Sequence, residues 1–117
     1  MIEFIQPEFV HEDDRGSLKQ LVSKGWSQVN VIHSSKGAIR GDHYHKENRE
    51  LFYILNGSFA LSLERGSDKQ EHQIKAGDMF IIEAGVKHSF EFTEDTNLVA
   101  MYDIGVENTA EFDIHSG

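Results

Sequence analysis

Four side chains could do chemistry together. His43 and His45 stand one residue apart, Glu50 follows five positions later, and His88 arrives in a separate segment. In an extended strand, residues two apart share a face, so His43 and His45 project together and leave Tyr44 on the other side. Glu50 has the parity of Phe52 and Ile54. His88 has the parity of Phe90 and Phe92, while Ser89, Glu91 and Thr93 alternate as polar neighbours. Glu50 and His88 are therefore expected to point inward among apolar groups. An inward carboxylate is costly unless it is paired or binds a cation. Three imidazoles and one carboxylate suit a borderline divalent ion such as iron, manganese, zinc, nickel or copper, and the ligand types do not select among them. The plainer alternative is a polar interior that holds water or a substrate.

The elements that must position these groups read as strands. Alternating runs are expected at residues 17–22, 28–33, 50–55, 58–64, 71–74, 79–82, 87–92 and 97–104. Turn signals separate them at Asp13-Asp14-Arg15-Gly16, Lys24-Gly25, Asn56-Gly57, Arg65-Gly66-Ser67-Asp68, Ala76-Gly77-Asp78 and Glu83-Ala84-Gly85. Phe59, Leu61 and Leu63 share one face of their run, and Phe52, Phe80, Phe90 and Phe92 complete a candidate core. Residues 6–12 are polar and mixed and carry no clear period. From Gly105 onward the chain reads as a loose tail. Short, evenly spaced strands with little helical periodicity indicate a single all-β domain, a sandwich or barrel, over residues 1–117.

Composition narrows the classes. At 117 residues the chain can build a core without staples, and it has no cysteine, which removes disulfides, thiolate metal sites and a cysteine nucleophile. Eleven basic against twenty acidic residues give a net charge of −9, with the basic residues scattered singly. Nucleic acid is excluded as a partner, since its phosphates call for a basic stripe. No apolar run approaches a membrane span and no leader pattern is visible, so the chain is read as soluble and cytoplasmic. One or two arginines could still hold a small anion. His11, His33, His72 and His115 have no companions at ligand spacing and read as surface residues. Tyr44 and Tyr53 read as sheet packing, and Tyr102 as packing or a general acid.

Two motifs resemble the cupins. Gly37, His43, His45, Glu50 and Gly57 match G-x5-H-x-H-x4-E-x6-G over residues 37–57. Gly77, Gly85 and His88 match the second cupin motif over residues 77–92, which departs from the usual pattern at Glu83 (proline) and Phe92 (asparagine). The resemblance implies a double-stranded β-helix, or jelly roll, with a metal inside the barrel on His43, His45, Glu50 and His88. The flanks, Asp14-Arg15-Gly16-Ser17-Leu18 and Arg40-Gly41-Asp42-His43-Tyr44-His45-Lys46, are similar to dTDP-sugar 3,4-ketoisomerases and dTDP-4-dehydrorhamnose 3,5-epimerases. That similarity implies a nucleotide-diphosphate sugar as substrate, in polysaccharide biosynthesis, with Arg15 and Arg40 on the diphosphate or sugar and His43 and His45 at the reacting carbons. It also implies a homodimer. The ketoisomerases act without a metal and generally lack a glutamate at the Glu50 position, so two roles compete for the same histidines. A nitrogen bound to a metal cannot also accept a proton. A metal-dependent cupin dioxygenase and a non-catalytic sugar-binding or regulatory module are the other readings, which fold alone does not separate.

Overall fold

A computed structural model describes residues 1–104 of the chain. The expected tail from Gly105, and His115 within it, lie outside the described residues. The described residues form eleven strands: β1 (Ile2–Phe4), β2 (Phe9–Asp13), β3 (Gly16–Gln20), β4 (Gln28–Ser34), β5 (Ile39–His43), β6 (Glu50–Asn56), β7 (Ser58–Arg65), β8 (Asp68–Lys75), β9 (Met79–Ile82), β10 (Lys87–Phe92) and β11 (Thr96–Tyr102). They form a five-stranded sheet in the order β1-β9-β6-β11-β4, a four-stranded sheet in the order β5-β10-β7-β8, and a separate β2-β3 hairpin. All pairings are antiparallel. This is the expected all-β jelly roll. Among the described residues no helix is long and apolar enough to cross a membrane.

The two large sheets face each other over an apolar core. Phe52 and Ile54 of β6, Phe59, Leu61 and Leu63 of β7, Phe80 and Ile82 of β9, and Phe90 and Phe92 of β10 meet there, all buried. Each follows the period of two expected from its strand. Fully burying one such side chain stabilises the fold by roughly 1.5–3 kcal/mol. A second, smaller apolar cluster covers the outer face of the five-stranded sheet, where Leu51, Tyr53, Met79 and Met101 meet Ile5, Leu21, Val22 and Trp26. Tyr53 thus packs on a sheet, as expected.

Two features depart from the sequence reading. The mixed segment 6–12 contains β2, which pairs with β3 from Phe9↔Gln20 to Asp13↔Gly16. Both strands are exposed along their whole length, so neither had an apolar face to betray it. Asn56-Gly57 is a tight connection between different sheets, because β6 belongs to the five-stranded sheet and β7 to the four-stranded one. Gly57 has φ of 94°, and a Cβ there would lie 2.5 Å from the Asp95 carbonyl oxygen. Only glycine fits that crossing.

Candidate metal centre and cavity

Glu50 opens β6 and pairs with Ile82 on one side and Tyr102 on the other, which fixes it at one end of the core. His88, in β10, lies opposite His43 of β5. His45 sits just past the end of β5, where its carbonyl accepts a hydrogen bond from the Gly85 N–H at 2.7 Å. The expectation that His43 and His45 share one regular strand therefore fails in detail, yet both reach the same place. Their ring centroids are 5.1 Å apart, and those of His43 and His88 are 4.7 Å apart. One ligand atom from each of His43, His45, Glu50 and His88 falls within 4.8 Å of the others. Tyr44 faces away, alongside Glu64, Arg65 and Lys87.

Burial makes this arrangement costly unless something holds it. Glu50 is 3% exposed, His45 2% and His88 2%. His45 Nε2 pairs with Glu50 Oε1, and His88 Nε2 lies 3.1 Å from the same oxygen. Yet His88 Nε2 and Glu50 Oε1 make no hydrogen bond of acceptable geometry. The tautomer explains why. His88 Nδ1 lies 3.0 Å from the Val86 carbonyl, which can only accept, so Nδ1 carries the proton. In the neutral ring Nε2 then offers a bare lone pair to a carboxylate oxygen. Two lone pairs repel, whereas a cation between them would satisfy both. The donor set thus fits a divalent ion on His43, His45, Glu50 and His88. Without one, a proton on the imidazoles must take its place.

Electrostatics point the same way. Burial by itself would raise the Glu50 carboxyl, but with a proton on the His45 and His88 nitrogens that face it, hydrogen bonding and charge outweigh burial and hold the pKa down to about 2. Burial lowers the His43 imidazole, with the nearby His88 adding to the effect and Glu50 opposing it. Glu50 is accordingly an anion and His43 a neutral ring at neutral pH, the forms in which both bind metal.

The cluster opens on a cavity of about 230 Å³. His43, Glu50 and His88 form one wall; Phe52, Phe90, Phe92, Ile32 and Leu98 form the apolar remainder. Arg40 and Tyr102 add the other polar groups. Arg40 donates from Nε to Ser34 Oγ at 2.7 Å and from Nη2 to the His33 carbonyl at 3.2 Å. These partners are neutral, so the guanidinium is oriented without being discharged. Tyr102 stands edge-on to His45, with ring centroids 5.5 Å apart. Ser34, and the Phe residues read only as core, are site residues that strand parity could not distinguish from packing.

Arg15 is not brought to this cavity. It lies at the β2-β3 turn, 82% exposed in its side chain, with Nη2 2.6 Å from Asp13 Oδ2. Among the described residues the hairpin pairs with no other strand, and its Lys19 Nζ donates to the Tyr53 hydroxyl at 3.0 Å on the outer face of the five-stranded sheet. His11 bonds the same Asp13, and His33 bonds Asn97, both on the surface as expected. His72 is half-buried instead, edge-on to Phe4.

Comparison with known proteins matches residues 30–105 to the model of the cupin domain family. This chain is a cupin. A 3,4-ketoisomerase from Helicobacter canadensis superposes with a TM-score of 0.83 at 18% identity, covering 99% of this chain and 90% of that one. The sugar 3,4-ketoisomerase QdtA from Thermoanaerobacterium thermosaccharolyticum, solved in complex with TDP, gives 0.82 at 21% identity, covering 99% and 88%. At these identities the likeness is one of fold. A curated relative, the 3-hydroxyanthranilate 3,4-dioxygenase of Danio rerio, is 35% identical over 63 residues, 53% of this cupin and 22% of the relative. The cupin chain thus matches only about a fifth of that enzyme's length.

Proposed function

We propose that this cupin isomerises or epimerises a nucleotide-diphosphate sugar carrying a 4-keto-6-deoxyhexose, in polysaccharide assembly. The observation that carries the reading is the cavity itself: a buried His3Glu cluster on one wall and an undischarged arginine on another. Its volume falls below the roughly 300–1,000 Å³ of sites that engulf a drug-sized ligand. It suits one sugar ring, with the nucleotide lying outside the mouth and Arg40 within reach of the diphosphate. The near full-length likeness of fold to two ketoisomerases supports the same class.

The chemistry is proton transfer beside a ketone. A base takes the proton from C3 of the sugar, and the electron pair left behind spreads onto the C4 carbonyl oxygen as an enediolate. When the O3 hydroxyl proton passes to O4 and a proton is returned to C4, the ketone moves to C3; a proton returned to the opposite face of C3 inverts that centre. Neither route needs an oxidant. A divalent ion held by His43, His45, Glu50 and His88 would supply positive charge for the developing oxyanion. With the histidines so engaged, Tyr102, which lines the cavity outside the quartet, would be the group to hold or return a proton. In a metal-free version His43 takes the base role, because it lines the cavity and is held neutral, while His45 and His88 orient Glu50.

Incubation with dTDP-4-keto-6-deoxyglucose in deuterated water tests the proposal. Deuterium at C3 or C4 together with a new sugar product is expected; neither appearing removes this substrate. Metal analysis of protein purified without added ions separates the two versions, with stoichiometric metal lost in Glu50→Gln supporting the metal-bound one. The dioxygenase reading is favoured by the complete metal quartet and by the identity to the curated relative. Oxygen uptake with Fe2+ and an aminophenol or enol would support it instead. Ligand binding with no turnover of any kind would leave a sugar-binding module. A homodimer belongs to this proposal: Phe9, Val10 and Leu18 on the hairpin and Val29 and Val31 on β4 are exposed apolar side chains that a second copy could cover.

A further inference from the structure

β5 does not enter the site as a regular strand. Along β10, His88 stands opposite His43, Ser89 opposite Gly41 and Phe90 opposite Arg40. Asp42 is therefore an extra residue with no partner, a β-bulge. It has φ of 59°, the left-handed region, where no other non-glycine is found among the described residues. Gly41 before it has φ of 93°, and a Cβ there would lie 2.7 Å from the His88 carbonyl oxygen. The backbone of β5 is pressed against β10 at this point.

The bulge changes which side chains share a face. His88 and Phe90 point into the barrel, whereas Ser89 and Glu91 between and beyond them are more exposed. Residues directly opposite across a ladder lie on the same face. Arg40 and His43 are thus both turned inward, and both line the cavity, although they are three positions apart. In an unbroken strand residues three apart point to opposite faces. Without the extra residue, an inward Arg40 would force His43 outward.

We infer that Asp42 is a positioning residue whose left-handed bulge turns Arg40 and His43 onto one inner face, so that anion anchor and imidazole meet the same ligand. The inference deepens the proposed function and rests on it for the roles of those two residues. The carboxylate is not the active feature. It is exposed, and its ion pair with Lys87 spans 3.4 Å, the kind of surface pair that contributes little. What counts is backbone conformation, which aspartate adopts more readily than most residues and β-branched residues resist.

Three variants test this: Asp42→Gly, Asp42→Val and deletion of Asp42. The first readout is the nuclear Overhauser effect between His43 and His88 ring protons in imidazole-labelled protein. The second is Zn2+ affinity by competition with a chromophoric chelator, and the third is Tm. Asp42→Gly should keep the His43–His88 effect and bind Zn2+ within about twofold of the unaltered protein. Asp42→Val should weaken Zn2+ binding by roughly ten- to a hundredfold, as expected when a strained position can no longer be held. Deletion should abolish the effect while the folded spectrum persists; if deletion prevents folding, the Gly and Val variants decide. A deletion variant that keeps the His43–His88 effect would overturn the inference. So would Asp42→Val lowering Tm while leaving ring contact and Zn2+ affinity intact, since that is a structural role alone. If the unaltered protein binds no Zn2+, the metal reading fails, and the ring contact still decides the bulge.

Discussion

Replacing Glu50 with glutamine removes the charge at the centre of the cluster, and acid unfolding reports what that charge contributes. The folded carboxyl titrates at about 2 against an ordinary value of 4.5. At about 1.4 kcal/mol per unit, the gap amounts to on the order of 3 kcal/mol. Because the folded value is the depressed one, this stabilisation is fully present above the unfolded pKa. It is lost as pH falls through 4.5 toward the folded value of about 2. With a urea m-value of roughly 1–3 kcal/mol per molar, the midpoint should drop by about 1–3 M from this group. The assay is urea unfolding of chelator-treated protein from about pH 6 to about pH 2.5, followed by fluorescence of Trp26, the single tryptophan. The His43 imidazole also favours its neutral form in the fold, so it too loses stability toward acid. Comparison with Glu50→Gln separates the two, since only the carboxylate contribution disappears. The variant should show a shallower acid limb, and added Zn2+ should raise the midpoint of the unaltered protein more than that of the variant. Parallel acid limbs would refute the account of Glu50 as an anion held by its imidazoles.

Three further outcomes are expected. Gly57→Ala should lower stability by roughly 1–3 kcal/mol through its left-handed backbone, and more if the Thr96 hydroxyl and Asp95 carbonyl beside it cannot yield; thermal unfolding measures it. Phe80→Ala should cost about 3–5 kcal/mol in urea unfolding, because Phe80 is fully buried against Phe52 and Phe59 in the core. Arg40→Ala should weaken nucleotide-sugar binding by calorimetry at least tenfold, the loss of a charge-assisted contact. Arg65→Ala is its control, since Arg65 pairs with Glu83 at 2.8 Å outside the cavity; equal effects would sink the assignment of Arg40.

The candidate quartet was legible because strand parity is a local property. Glu50 with Phe52 and Ile54, and His88 with Phe90 and Phe92, declare an inward face over a few residues, and the structure buries them all. Parity fails wherever the ladder is broken. Gly41-Asp42, two residues that tolerate left-handed backbone, were the local sign of a bulge, but the sign does not say which neighbours it re-aims. The β2-β3 hairpin, exposed on both faces, left no period to detect, and Arg15 at its turn could be placed only by knowing that, among the described residues, the hairpin pairs with no other strand.

By itself the sequence determined the all-β class, most of the strands and the candidate side chains that converge, since alternation and spacing within short segments carry them. The tertiary structure decided the rest: the crossing between sheets at Gly57, the inward turn of Arg40, and the apolar walls of the cavity. It also decided the chemistry of His88, whose neutral ring turns an Nε2 lone pair to Glu50 because a carbonyl two residues away claims the proton on Nδ1. Such outcomes depend on which backbone groups from distant strands arrive within hydrogen-bond reach, and no local pattern encodes that distance.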